Sequence, residues 1–172
     1  MALPIALDDL NRMDANAFTA ALAQVFEHAP WVAALAAAKR PFASRAALHD
    51  AMKDAVSEAS DAEQVALIRG HPELAGKAAV ALTADSAREQ RGAGLDRLTQ
   101  AEYERFHALN AAYREKFGMP FIMAVKGRNK GEILDAFAAR LESTPAAEIA
   151  TALDQIGRIA GFRLADLVAE AA

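Results

Sequence analysis

The sequence predicts an all-α fold: a single-domain bundle of about eight helices over residues 1–172, with one extended buried segment near residues 119–126. Three observations carry that expectation. Apolar residues recur at helical spacing along almost the whole chain. Alanine, the strongest helix former, dominates the composition. Capping and breaking residues fall where the apolar stripes begin and end.

Taken in order, Asp14 caps a helix with Phe18, Leu22, Val25 and Phe26 on one face, running to about His28. Pro30 opens a short successor through Trp31 and Leu35. Ser44 caps a third helix, in which Leu48, Met52 and Val56 follow at four-residue steps. Ser60 or Asp61 starts a fourth, which Gly70 ends, and Pro72 suits the first turn of whatever follows. Thr99 and Glu102 have the spacing of a capping box; they open a helix carrying Tyr103, Phe106, Leu109, Ala112 and Tyr113 as far as Gly118. The stretch "MPFIMAVKG" joins a proline to a compact apolar run and reads as extended and buried. Asn129 caps a helix with Ile133, Leu134, Phe137 and Leu141. Thr144 and Pro145 open the last one, with Ile149, Leu153, Ile156, Ile159 and Leu164. No linker, low-complexity tract or internal repeat interrupts the series.

Composition narrows the chemistry. With no cysteine, the chain has no disulfide, thiolate zinc site, iron–sulfur cluster or cysteine nucleophile, and a reducing cytoplasm is the expected setting. The N-terminal "MALPIALDDLNRMD" lacks a basic region followed by an apolar core, and no apolar run approaches a membrane span; a soluble, cytoplasmic protein is expected. The 19 Lys and Arg against 23 Asp and Glu leave a net charge of -4, which gives no electrostatic support for nucleic-acid binding. Neither nucleic acid nor membrane is an expected partner. The four histidines, His28, His49, His71 and His107, form no metal-ligand spacing, so no metal site is expected. There is no nucleophile elbow and no phosphate-binding loop; "KGRNKGE" at 126–132 reads as a basic loop entering a helix.

Two stretches stand apart. In "IRGHPELAGKAA", residues 68–79, His71 is an ionisable ring at a helix exit, between Gly70 and Pro72. In "SAREQ", residues 86–90, Ser86 and Glu89 have capping-box spacing, so a structural role competes with a catalytic one. A lone histidine is likewise often structural. Brought together with one extended backbone segment, these groups would supply an acid/base, its electrostatic partner, amide contacts and backbone groups for a small polar ligand.

The chain resembles the family of 2-oxo-4-hydroxy-4-carboxy-5-ureidoimidazoline (OHCU) decarboxylases of urate breakdown. The resemblance runs through "FEHAPWVA" (26–33), "RPF" (40–42), "LIRGHPELAG" (67–76), "SAREQRGAGL" (86–95), "LNAAYREKFGMPFIMAVKG" (109–127), "EILDAFAARL" (132–141) and "IGRIAGFRLADLV" (156–168). One departure is "RLES", where Ser143 stands at a position expected to hold asparagine. The resemblance implies a cofactor-free, all-helical lyase, usually a homodimer, that converts OHCU to (S)-allantoin. It implies that His71 is the catalytic histidine and that Pro72 touches substrate; the chemistry of a carboxylate beside an imidazole makes Glu89 the expected partner of His71. It further implies substrate contacts from Ser86, Glu89 and Gln90, from the backbone of Ile122, Met123, Ala124, Val125 and Lys126, and from Arg163. Phe121 and the side chain of Met123 are expected to line the same pocket.

Such a reaction suits these residue types. Without a cofactor, the electron pair released with carbon dioxide must enter the substrate's own ring imine. The protein then has to orient the carboxylate, hold the ureide and move one or two protons. His71 has a suitable ordinary pKa of about 6.5, and a carboxylate beside it favours the imidazolium. Gln90 suits a urea or imide edge and Arg163 an anionic oxygen. Two alternatives stand beside this reading: a non-catalytic helical binding module, and a related enzyme acting on another ureido or hydantoin compound.

Overall fold

The structure, a computed structural model, describes residues 2–76 and 83–170. Among the described residues the order is β1 (Ile5–Ala6), α1 (Leu7–Arg12), α2 (Ala15–Leu22), α3 (Pro30–Ala37), α4 (Arg45–Ser57), α5 (Asp61–Arg69), α6 (Ala84–Gly92), α7 (Gln100–Phe117), α8 (Lys130–Arg140), α9 (Pro145–Leu167) and β2 (Val168–Ala169). The fold is all-α, as expected. Two features, comprising three of these elements, escaped the sequence reading. One is α1, a six-residue helix that buries Leu7 and Leu10 and carries Asp8 and Asp9 at its positive N-terminal end. The other is a two-stranded parallel sheet pairing Ile5 with Val168 and Ala6 with Ala169.

The chain forms two compact units, Met1–Leu67 with Gly157–Ala172, and Ile68–Ile156. In the first, Asp14 accepts the Ala17 N–H at 2.8 Å and Ser44 accepts the Ala47 N–H at 3.0 Å, the caps the sequence predicts. The helix after Asp14 ends at Leu22, well short of His28. Val25 N–H turns back to the Leu22 carbonyl and Ala29 N–H to that of Phe26, while His28 adopts a left-handed φ of 55°. Val25 and Phe26 are still buried. Periodicity therefore identified the buried positions correctly and the element wrongly, because a run of tight turns can keep an apolar face inward. Leu10, Phe18, Val32, Leu48, Met52 and Leu164 make the core of this unit. His49 Nε2 meets the Gly157 carbonyl at 2.7 Å, and a Cβ on Gly161 would come within 2.9 Å of the His49 ring, so α4 and α9 approach where only glycine fits.

In the second unit, α7 opens on the Thr99–Glu102 capping box and closes on left-handed Gly118, and α8 opens on an Asn129–Glu132 box. Its core is aromatic: Phe121 stacks on Phe137 with centroids 3.9 Å apart, and Tyr113 meets Phe121 edge-on at 5.5 Å. Residues 119–126 join no strand. Met119, Phe121, Ile122, Met123 and Val125 are buried and Lys126 is exposed, so burial of the expected segment ends at Val125.

Candidate active site

His71 leaves α5 through a turn in which its N–H donates to the Ile68 carbonyl at 3.1 Å. Its side chain and that of Pro72 are buried. The residues that follow are held from several directions. Gln90 accepts the Ala75 N–H at 3.1 Å through Oε1 and donates through Nε2 to the Glu73 carbonyl at 3.3 Å. Asn110 donates to the Leu74 carbonyl at 2.9 Å, and the Glu73 carboxylate pairs with Arg114. Ala75 has a φ of 55°, a conformation that costs a non-glycine residue on the order of 1–3 kcal/mol and persists only when neighbours impose it. A Cβ on Gly76 would lie 2.9 Å from that of Glu73, so the turn closes on itself more tightly than a side chain permits. The backbone around His71 is thus preset.

The cap of α6 is Thr83, whose hydroxyl accepts the Ser86 N–H at 3.2 Å. Ser86 therefore lies inside the first turn and Glu89 in the helix body, which removes the capping role their spacing suggested. Ser86, Glu89 and Gln90 stand at i, i+3 and i+4, on one helix face. Gln90 directs that face at the turn carrying His71, and Ser86 is buried on it. Sequence reasoning expected Gln90 to contact substrate; in the structure both ends of its amide hold the 73–75 backbone.

The segment 121–125 is anchored by side chains. Gln155 accepts the Ala124 N–H at 2.9 Å, and Arg140 donates through Nη1 to the Ile122 carbonyl. Arg140 also donates through Nε to Glu148 at 2.8 Å, and its guanidinium lies 4.3 Å from the centroid of Phe121. Tyr113 donates to the same Glu148 oxygen at 2.7 Å. Burial, and then the bond to Glu148, push the Tyr113 phenol well above its ordinary range. The Phe121 ring belongs to the aromatic core, between Phe137 and Arg140.

Arg163 belongs to the first unit, where it meets the Glu27 carboxylate at 3.2 Å and the Gln24 carbonyl at 3.1 Å, with both charged side chains buried. Glu27, Asn110, Arg140 and Gln155 were missed by sequence reasoning. Asn110 had a usable signal, since it interrupts the apolar stripe of Phe106 and Tyr113 and is itself buried. Among the described residues no group of three or more His, Cys, Asp or Glu could hold a metal ion, and no helix is long and apolar enough to cross a membrane.

The family model for OHCU decarboxylase matches residues 11–165, which draw on both units. The chain is 43% identical over 162 residues to the 2-oxo-4-hydroxy-4-carboxy-5-ureidoimidazoline decarboxylase of Haloferax volcanii, covering 94% of this chain and 95% of that protein. It is 48% identical over 164 residues to the uric acid degradation bifunctional protein PucL of Bacillus subtilis; the match takes in 95% of this chain but only 33% of PucL. A crystal structure of (S)-allantoin synthase superposes with a TM-score of 0.77 at 31% identity, over 96% of this chain and 54% of that one. A match this long, at these identities and with the same fold, makes the chain a member of the OHCU decarboxylase family.

Proposed function

We propose that this protein is a cofactor-independent carboxy-lyase that converts OHCU to (S)-allantoin in urate degradation, with His71 handling the proton and Glu89 as its partner. The observation that carries the proposal is the buried, preset turn at His71, clamped by Gln90 and Asn110. A histidine serving only as packing needs no such clamp, whereas a group that delivers a proton to one face of a ring needs its backbone fixed. Family membership supports the same reading.

The reaction balances on the substrate alone. The bond from the hydroxyl-bearing carbon to the carboxylate breaks, its electron pair forms a C=C bond to the neighbouring carbon, and the imine π pair moves to nitrogen, which takes up a proton. The resulting enol loses its hydroxyl proton as the carbonyl forms, and the C=C pair takes a proton at the neighbouring carbon. Addition on one face gives the S product. His71 moves the proton, Pro72, Ser86 and the 122–126 backbone shape the site, and Gln90 holds the His71 turn. The same reading takes the enzyme to be a cytoplasmic homodimer.

The test is circular dichroism of OHCU generated in situ, with and without the protein. Accelerated formation of optically active allantoin is expected. Decay at the spontaneous rate to racemic product would reject the proposal.

A further inference from the structure

Because residues 121–125 join no strand, their peptide groups need partners from elsewhere. Two come from helices of the same unit: Arg140, at the end of α8, reaches the Ile122 carbonyl, and Gln155, in α9, accepts the Ala124 N–H at 2.9 Å. A carbonyl at 122 and an N–H at 124 are two residues apart, the spacing at which an extended chain turns groups to one side. The peptide groups of Met123 then face the other way. Among the described residues no hydrogen bond reaches the Met123 N–H or carbonyl, although only 7% of that residue is exposed. Buried peptide groups are almost always paired with protein, water or ligand.

Arg140 is itself held in register by the Glu148 carboxylate, which Tyr113 also engages, and by the Phe121 ring. We propose that Arg140 and Gln155 are positioning residues: they grip one edge of residues 122–124 so that the opposite edge, the N–H and carbonyl of Met123, meets the N–H and carbonyl edge of a planar ureide or imide ring. The two side chains touch the segment, not the ligand. This rests on the lyase reading above.

Gln155→Met keeps side-chain length and helix propensity but removes the acceptor, whereas Gln155→Glu keeps an acceptor oxygen. With freshly made OHCU, Gln155→Met is expected to raise KM by about tenfold, the scale of leaving a buried amide unpaired. Its kcat should stay within about twofold, since the lost contact serves ground state and transition state alike. Gln155→Glu should restore KM. Arg140→Lys, which keeps the charge beside Glu148 but loses the planar fork, should show the same KM signature. An unchanged KM in Gln155→Met, a fall of kcat and melting temperature together, or equal impairment of the Met and Glu variants would overturn the proposal. Wild-type protein that leaves OHCU decay unaltered would instead sink the lyase reading, and this is read before any variant is made.

Discussion

Arg163 and Glu27 face each other at 3.2 Å with both side chains almost wholly withdrawn from solvent. The second bond, from Arg163 to the Gln24 carbonyl, anchors the guanidinium to the turn that follows α2. A buried pair of this kind is weak evidence of net stabilisation, but losing one partner strands a charge in the interior. The same turn carries His28 at its left-handed φ. The turn therefore does two things: it keeps Phe26 in the core and brings a carboxylate to the arginine.

Glu27→Ala is accordingly expected to cost about 3–5 kcal/mol of stability, the range for breaking a buried ion pair. Glu27→Gln retains an acceptor for Arg163 and should cost less. Urea unfolding of both variants measures this directly. Equal losses would show that the negative charge itself, which both variants lack, and not a neutral acceptor or side-chain volume, is what Glu27 supplies to Arg163.

His71→Gln should remain folded and lose at least ~10²-fold in rate, the usual scale for removing a general acid or base. Near-normal production of optically active allantoin by this variant would remove His71 from the chemistry.

Thr83 and Glu89 separate capping from catalysis. Thr83→Ala removes the hydroxyl that accepts the Ser86 N–H and should cost about 1 kcal/mol of stability. Glu89→Gln lies in the helix body, so its melting temperature should hardly move while activity falls by about 10²-fold or more. Stability and activity falling together in Glu89→Gln would return the residue to a structural role.

Most of the fold was legible in the sequence because helices announce themselves locally. Asp14, Ser44, Thr99 and Asn129 cap where hydroxyl, amide or carboxylate side chains precede apolar stripes. The β1 and β2 pair was not legible, since strands of two residues leave no alternation to read and their pairing joins opposite ends of the chain. For the site, His71 and the Ser86, Glu89 and Gln90 face were visible as motifs. The groups that hold them were not. Asn110, Arg140 and Gln155 act through backbone groups many residues away, and such partnerships are set by packing, not by local spacing. The competition between capping and catalysis at Ser86 and Glu89 was not decidable from sequence, because Thr83 and Ser86 both carry suitable hydroxyls three residues apart and only the helix start decides between them.

Tyr113 gives a prediction in pH. An ordinary tyrosine ionises near pH 10, but in the fold burial and donation to Glu148 hold this phenol protonated to higher pH. Its folded value is raised, so its contribution to stability is fully present below the unfolded value and is lost as pH climbs toward the folded one. The reason is that the unfolded chain releases the proton first, and stability falls wherever the unfolded state binds fewer protons. Tyr113→Phe should be less stable than wild type near neutrality by about 1 kcal/mol, for one lost hydrogen bond. That gap should narrow as pH rises above about 10, where only wild type carries the phenol. Urea unfolding of the two proteins at several pH values between about 8 and 11 measures the gap without interference from lysine titration, which both share. A gap that stays constant across this window would mean that the Tyr113 hydroxyl does not need its proton to hold Glu148, and with it Arg140, in place.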